Sequence, residues 1–295
     1  MVSPITKKTG PNPLQQEVAL KNLTTWHVGG PARFFCRPGS ADDLKRAVSF
    51  AREKGVAYRI IGNGSNVLVP DRGFDGLVIK FGHDMSSLEK SGRAIRAQAG
   101  ASLYELAKFT NVSGSQSFNF MAGIPGTVGG GIAMNAGAHG KEISDYLQSV
   151  TYINRSGEVK TVSDLSDAFG YRESPFGDGE RIVLEARFEP DYQETQPEMS
   201  HFLKSRRERI PYEERTAGSV FKNPPDCSKS AGELLDEAGS KGLRVGDAVV
   251  SRKHANFILN KGHATAKNIQ NTIDILRDRV YKEFGVTLVT EIVVI

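Results

Sequence analysis

Cysteine is scarce: only Cys36 and Cys227 occur in 295 residues, and they stand far apart. That excludes a disulfide framework and a cysteine-based zinc site, and no metal is expected. It also fits a reducing, cytoplasmic setting. No apolar run approaches the roughly 18 residues of a membrane-spanning helix, so no membrane partner is expected. Residues 1–8 carry charge with no apolar stretch behind them, so no secretory signal is expected either. An excess of one charge is lacking too. With 38 basic and 34 acidic residues the net charge is +4, too small and dispersed for nucleic acid but suited to small anions. The one locally basic stretch, residues 204–209, reads as the solvated face of a helix. At 39% hydrophobic and 24% charged residues, the chain can bury a real core, which excludes disorder and coiled coils. Its length predicts two domains or three small ones.

What is present, with its order along the chain, predicts an α+β fold. Residues 1–20 are polar, hold three prolines and lack a period, and so read as a loose lead-in. A strand at 34–37 and a helix capped by Ser40 follow. Leu44, Ala47, Val48 and Ala51 share one face of that helix, Gly55 ends it, and a strand at 57–61 completes a β-α-β unit. Short strands at 67–69 and 77–79 flank a turn at 71–73. After Gly82 come a strand at 94–99, a helix around 103–107, a hairpin pairing 150–153 with 159–162, and a strand at 182–188. Pro190 and the polar run 193–197 mark a boundary. Beyond it, Phe202, Leu203, Arg206 and Ile210 outline a helix, Leu234 and Leu235 lie on another, and 255–259 reads as a strand. Ile269, Ile273, Leu276, Val280 and Phe284 stripe a long helix from Thr265 that Gly285 closes. Residues 286–295 are expected as a terminal strand. The mixture lacks strict βα alternation, hence the α+β assignment.

Glycine is the informative surplus, with 31 residues. Gly62-Asn63-Gly64-Ser65-Asn66 directly follows a strand, where bare backbone N–H groups can form an anion-binding concavity. Strand, not helix, follows it, so it is neither a Rossmann fingerprint nor a Walker loop. Residues 122–140 hold seven glycines and four alanines. A flexible linker would be polar, yet this stretch carries Ile124, Val128, Ile132 and Met134. A bed of small residues packed against something large and flat fits better.

The chain resembles the UDP-N-acetylenolpyruvoylglucosamine reductase (UDP-N-acetylmuramate dehydrogenase) family. The likeness rests on Thr24-Thr25-Trp26-His27-Val28-Gly29-Gly30-Pro31-Ala32, the Gly62 loop, the Ala122 stretch and Gly170-Tyr171-Arg172-Glu173-Ser174. It continues through Ala217-Gly218-Ser219-Val220-Phe221-Lys222-Asn223-Pro224, His254-Ala255-Asn256-Phe257-Ile258-Leu259-Asn260 and Glu291, all in order. The resemblance implies a vanillyl-alcohol-oxidase/p-cresol-methylhydroxylase-type FAD-binding fold. Two subdomains, residues 1–82 and 83–192, would precede a C-terminal α+β substrate domain, 193–295, whose last strand packs back toward the FAD site. Non-covalent FAD would rest on Gly62, Asn63, Gly64, Ser65 and Asn66. On the second stretch its bed would be Ala122, Gly123, Ile124, Pro125, Gly126, Thr127, Gly129, Gly130, Asn135, Ala136 and Gly137.

The activity so implied is reduction of an enolpyruvyl ether to a lactyl ether, with NADPH as co-substrate and UDP-N-acetylglucosamine enolpyruvate as partner, in peptidoglycan precursor synthesis. A monomer or weak oligomer is expected. The chemistry calls for a cation on the carboxylate, a hydrogen-bonding partner and a proton donor. The resemblance assigns these to Arg172, Glu291 and Ser219. Without it, Arg172 reads as a surface ion pair with Glu173 or Glu180, and Ser219 as a turn residue. Strand alternation puts Glu291 with Val289 and Val293, either on a core strand, where a carboxylate needs a partner, or as an exposed charge on an edge strand. Tyr171, Arg209, Lys222, Asn223 and His254 match substrate positions, with Lys222 and Arg209 also candidates for acidifying Ser219. The short span between Arg172 and Ser219 matches the subclass that lacks an inserted tyrosine loop. A related oxidase with FAD tethered through histidine, or a non-catalytic sugar-nucleotide binder, are the competing readings. Ser65 where such a histidine would stand argues against the first.

Overall fold

The computed structural model describes residues 14–165 and 167–295. Its first layer opens with β1 (Gln15–Ala19), antiparallel to β2 (Pro31–Cys36). The loose lead-in is thus corrected from residue 15 onward; residues 1–13 lie outside the described ones. No periodicity announces β1 because this edge strand buries little, and only Leu20 behind it is sealed. The helix α1 (Ala41–Lys54) forms where the sequence puts it. Ser40 Oγ accepts from Asp43 N at 3.1 Å, Asp42 and Asp43 suit the positive N-terminus, and Gly55 closes the helix at φ 64°. It leads to β3 (Tyr58–Ile61). After β4 (Val67–Leu68), β5 (Phe74–Lys80) inserts parallel between β2 and β3, giving the order β1-β2-β5-β3.

A second, antiparallel layer has the order β11-β10-β12-β7-β6. Its strands are β6 (Leu88–Ser91), β7 (Ala94–Gln98), β10 (Leu147–Asn154), β11 (Val159–Val162) and β12 (Arg181–Phe188). Between β7 and β10 lie α2 (Leu103–Val112), α3 (Val128–Ala133) and a small ribbon of β8 (Gly137–Ala138) with β9 (Lys141–Glu142). The expected hairpin has the expected register, Val150 opposite Val162 and Ile153 opposite Val159. One core joins the buried face of α1 to this sheet.

The polar run after Pro190 is fastened to the second layer. Ser115 and Ser117 hydroxyls donate to the Asp191 carbonyl at 2.7 and 3.1 Å, and Glu194 accepts from Tyr146 Oη at 2.5 Å and pairs with Lys141 at 2.8 Å. This strap delivers the chain to α4 (Met199–Arg209).

The remainder comprises α5 (Ala231–Glu237), β13 (Arg244–Val245), β14 (Ala248–Val250), β15 (Ile258–Asn260), α6 (Ala266–Phe284) and β16 (Val293–Val294). The strand expected over 255–259 is corrected to β15, because Phe257 N turns back to the His254 carbonyl at 3.1 Å. Two devices lock this part to the first layer. Trp26, fully buried in the C-terminal core, donates from Nε1 to the Ile258 carbonyl at 2.8 Å, and its own carbonyl accepts from Asn260 Nδ2 at 2.9 Å. Asp71 takes Ala266 N and Lys267 N at 2.7 and 3.0 Å, capping α6 from across the junction.

A single terminal strand over 286–295 does not form, because the segment changes partner midway. Lys222 N donates to the Val289 carbonyl and Glu291 N to the Val220 carbonyl, at 2.9 and 2.8 Å. Val293 N then bonds the Asn66 carbonyl as β16 pairs parallel with β4. Alternation fails with it: Val294 is exposed although Leu288 and Ile292, expected on its face, are buried, and Glu291 is largely buried although Val289 and Val293, expected on its face, are 60% and 42% exposed.

Candidate active site

A cavity of about 530 Å³ opens where these parts meet. The Gly62 loop forms one wall, lining it with all of residues 62–66, and the small-residue stretch forms another with 124–127, 129–131 and 136–137. The two loops touch. A β-carbon on Gly62 would collide with Thr127, whose hydroxyl accepts from Gly130 N at 3.3 Å and caps α3. Lys80 backs the first loop, its ammonium donating to the Gly62 carbonyl; burial, aided by Arg37, pulls its pKa down to about 8. A second cavity of equal volume, lined by Tyr212, Arg252 and Lys261 among others, holds none of the residues expected to act.

Arg172, Ser219 and Glu291 all line the first cavity. Arg172 sits in a tight turn in which Gly170 and Glu173 exchange both backbone bonds, at a left-handed φ of 57°. Such backbone is strained for a side chain that long. Its Nε donates to Glu291 Oε1 at 2.9 Å, Nη2 to the Gly137 carbonyl at 3.0 Å and Nη1 to the Asn135 carbonyl at 3.4 Å. Glu142 Oε1 lies 3.9 Å from Nη1. Three of five N–H groups are thereby engaged, leaving one on each terminal nitrogen for a carboxylate fork. The alternative partners are occupied elsewhere: Glu173 pairs with Lys222 at 3.6 Å and Glu180 with Arg155 at 2.5 Å.

Glu291 owes its burial to the crossover of the tail, not to a strand face. Its N–H holds the Ser219 segment at Val220, while its carbonyl accepts from Asn66 Nδ2 at 3.1 Å. Burial pushes its pKa up, against the opposing pull of Arg172 and Lys222. Ser219 follows Gly218, whose φ of 80° turns the chain into open space. The buried Asn256 fixes this segment by accepting from Phe221 N and donating to the Phe221 carbonyl, both at 2.9 Å.

Other expected positions fall outside the lining. Ala122 and Asn135 are fully buried, and Asn135 spends its amide on Glu142 and the Gly170 carbonyl, at 2.6 and 2.9 Å, supporting the Arg172 turn. Gly123 packs against Arg206. Tyr171 stacks on the Arg172 guanidinium at 4.9 Å, and its hydroxyl accepts from Asn223 N at 3.5 Å. Asn223 Oδ1 accepts from Ala231 N at 3.1 Å at the start of α5. Tyr171, Lys222 and Asn223 thus cluster beside the Arg172 turn. Arg209 is exposed. His254 accepts from Asn256 N at 3.2 Å through Nδ1, and burial lowers its pKa, the arrangement of a neutral supporting ring.

Sequence reasoning missed Arg59, Arg181 and Arg206, all in the lining. For Arg206 the signal was there: it falls on the stripe of Phe202 and Ile210, so the solvated-face reading of 204–209 is corrected at this position. Arg172 included, four arginines line the cavity against two carboxylates, Asp178 and Glu291. That surplus suits a dianionic diphosphate.

Residues 32–163 match the FAD binding domain family, and residues 210–295 match the C-terminal domain of UDP-N-acetylenolpyruvoylglucosamine reductase. The chain is 42% identical over 285 residues to UDP-N-acetylenolpyruvoylglucosamine reductase of Desulforamulus reducens, covering 96% of this chain and 93% of the relative. With the enzyme of Heliobacterium modesticaldum it shares 40% identity, covering 96% and 90%. The crystal structure of UDP-N-acetylenolpyruvylglucosamine reductase from Thermus caldophilus superposes with a TM-score of 0.80 at 35% identity, covering 96% of this chain and 99% of that one. The cavity fits FAD: its walls are small residues, the arginine surplus matches the diphosphate, and the exposed Gly130 meets only Thr127 where a side chain would intrude. Among the described residues no histidine lines it, so the donor set for a histidyl-tethered flavin is lacking.

Proposed function

The chain belongs to the UDP-N-acetylenolpyruvoylglucosamine reductase family, and from this we propose that it reduces the enolpyruvyl ether of UDP-N-acetylglucosamine enolpyruvate to the lactyl ether of UDP-N-acetylmuramate. The setting is the cytoplasm, in peptidoglycan precursor synthesis, with the three-part division at residues 82 and 192 as its scaffold. FAD, held between the Gly62 loop and the small residues 124–127 and 129–131, would supply the hydride for vinyl carbon C3, with NADPH as its source. The protein's task is to manage the charge and the proton that this transfer creates.

Hydride arriving at C3 drives an electron pair toward the carboxylate, leaving C2 basic in an enediolate-like species. Arg172 meets that charge with its two remaining N–H groups and stays cationic throughout. Glu291 positions Arg172 through the 2.9 Å bond and stands beside it to hydrogen-bond the developing enediolate. Ser219 protonates C2, a role open to so weak an acid only against a strongly basic carbanion. Tyr171, Lys222 and Asn223 border the Arg172 turn, where the sugar nucleotide's anionic parts would pass, with Arg209 beyond them. His254, through Asn256, supports the Ser219 segment.

The observation that carries this reading is the convergence of Arg172, Ser219 and Glu291 on one small-residue cavity. Stopped-flow absorbance of the yellow holoprotein tests it. Ser219→Ala should still bleach with NADPH, yet recover its colour on adding the enolpyruvyl sugar some 10²–10⁴-fold more slowly, the usual contribution of a general acid. Unchanged turnover refutes the acid role. Denaturation should release the flavin.

A further inference from the structure

On α4, Arg207, Glu208 and Arg209 face solvent, but Arg206 turns inward. Its Nε is buried without a hydrogen-bond partner. Its stem lies against Gly123, where a β-carbon would stand 2.8 Å from Cδ, and the side chain lines the cavity with Arg172 and Ser219. Among the described residues no carboxylate pairs with it, and Glu291, which shares the cavity, is bonded to Arg172. Burial draws its pKa below the ordinary guanidinium range; Tyr212 opposes that pull, and Arg172 and Arg209 add to it. A half-buried guanidinium with no carboxylate partner and an unpaired buried Nε is unfavourable. A fold that holds one against a cavity wall gains only when an anion arrives.

We propose that Arg206 is a binding residue for FAD, its guanidinium neutralised by negative charge that the cofactor brings into the cavity. The assignment rests on the reading of this cavity as the FAD site. FAD is favoured over the sugar nucleotide by position. Arg206 is packed on the small-residue stretch at Gly123, within the matched FAD binding domain, while Tyr171, Lys222 and Asn223 cluster elsewhere. Arg206 itself lies in the stretch between the two matched domains.

Arg206→Met keeps the stem and removes the charge; Arg206→Lys restores it. The test is FAD titration of the flavin-stripped full-length protein, with thermal midpoints measured without and with FAD. Arg206→Met is expected to bind FAD at least tenfold more weakly, while its FAD-free form melts at or above the wild-type midpoint because the uncompensated charge is gone. Arg206→Lys should regain most of the affinity. Unchanged FAD affinity with a raised KM for NADPH or the sugar nucleotide overturns the proposal and moves the cation to substrate. Equal destabilisation of both forms with unchanged FAD affinity also overturns it, making Arg206 a packing residue. Wild-type protein that takes up no FAD fails differently, removing the functional reading itself.

Discussion

Replacing Gly62 with alanine tests whether the two glycine loops are one mechanical unit. The added β-carbon would stand inside contact distance of Thr127 Oγ1, and 3.2 and 3.3 Å from Thr127 Cγ2 and Cβ. Thr127 is only 3% exposed, so it cannot swing into solvent. If its hydroxyl moves away, Gly130 N loses the cap of α3, a loss of about 1 kcal/mol. If it stays, the overpacking strain is about 1–3 kcal/mol. Gly62→Ala should therefore cost about 1–3 kcal/mol, whichever way Thr127 responds. Thr127→Ala alone should cost about 1 kcal/mol for the cap. In the double variant the new methyl occupies the vacated space, with only the 3.3 Å approach to Cβ left to relax. The double should thus be more stable than the sum of the singles by about 1–2 kcal/mol. Urea unfolding read by Trp26, the single tryptophan, measures each corner of the cycle in FAD-free protein. Additivity within about 0.5 kcal/mol, the norm for independent sites, would refute the idea that these loops press on one another.

Two further expectations concern the junction. Burial raises the Glu291 pKa above its ordinary 4.5, so the native state keeps this proton to higher pH than the unfolded chain does. By linkage its contribution is present at pH below 4.5 and declines as pH rises through the native value, by about 1.4 kcal/mol per unit of displacement. The stability of FAD-free wild type relative to Glu291→Gln should therefore fall between pH 4.5 and 7.5 in urea titrations; a rise would mean that Arg172 outweighs burial. Asp71→Ala removes two acceptors from the start of α6 and should cost about 1–2 kcal/mol by the same Trp26 signal, whereas an unaltered midpoint would show that Thr265 caps α6 sufficiently alone.

Local chemistry was legible where it is self-contained. Ser40 and Gly55 bound α1, Thr265 and Gly285 bound α6, and the 150–162 hairpin has its predicted register, because caps, stripes and turns are decided within a few residues. Segments decided by distant partners were not. An edge strand such as β1 buries too little to leave a pattern. Residues 255–257 look like strand, but Asn256 is committed to Phe221. Within the site, Arg172 and Ser219 became candidates through family likeness, since nothing local distinguishes Arg172 from a surface arginine, whereas Glu291 also stood out as a carboxylate in an apolar run. Arg206 was hidden by the opposite error: its neighbours are exposed charges, and composition outvoted its place on the helical stripe.

The tail explains why such a site escapes local reasoning. Through one residue, Glu291, the backbone holds the Ser219 segment at Val220 and the Gly62 loop at Asn66, while the side chain holds Arg172. Three pieces of chain that share no local pattern are thus brought to the cavity by a crossover only a few residues long. Trp26 and Asp71 fasten the same junction from the other direction. The reacting groups and the docked C-terminal part thus share one set of bonds: Glu291 meets Arg172 at the point where the tail passes from Val220 to the β4–β16 pair. Strain at Arg172, held at φ 57°, is tolerable because the Gly170–Glu173 backbone pair closes the turn while Glu291, Gly137 and Asn135 hold the guanidinium.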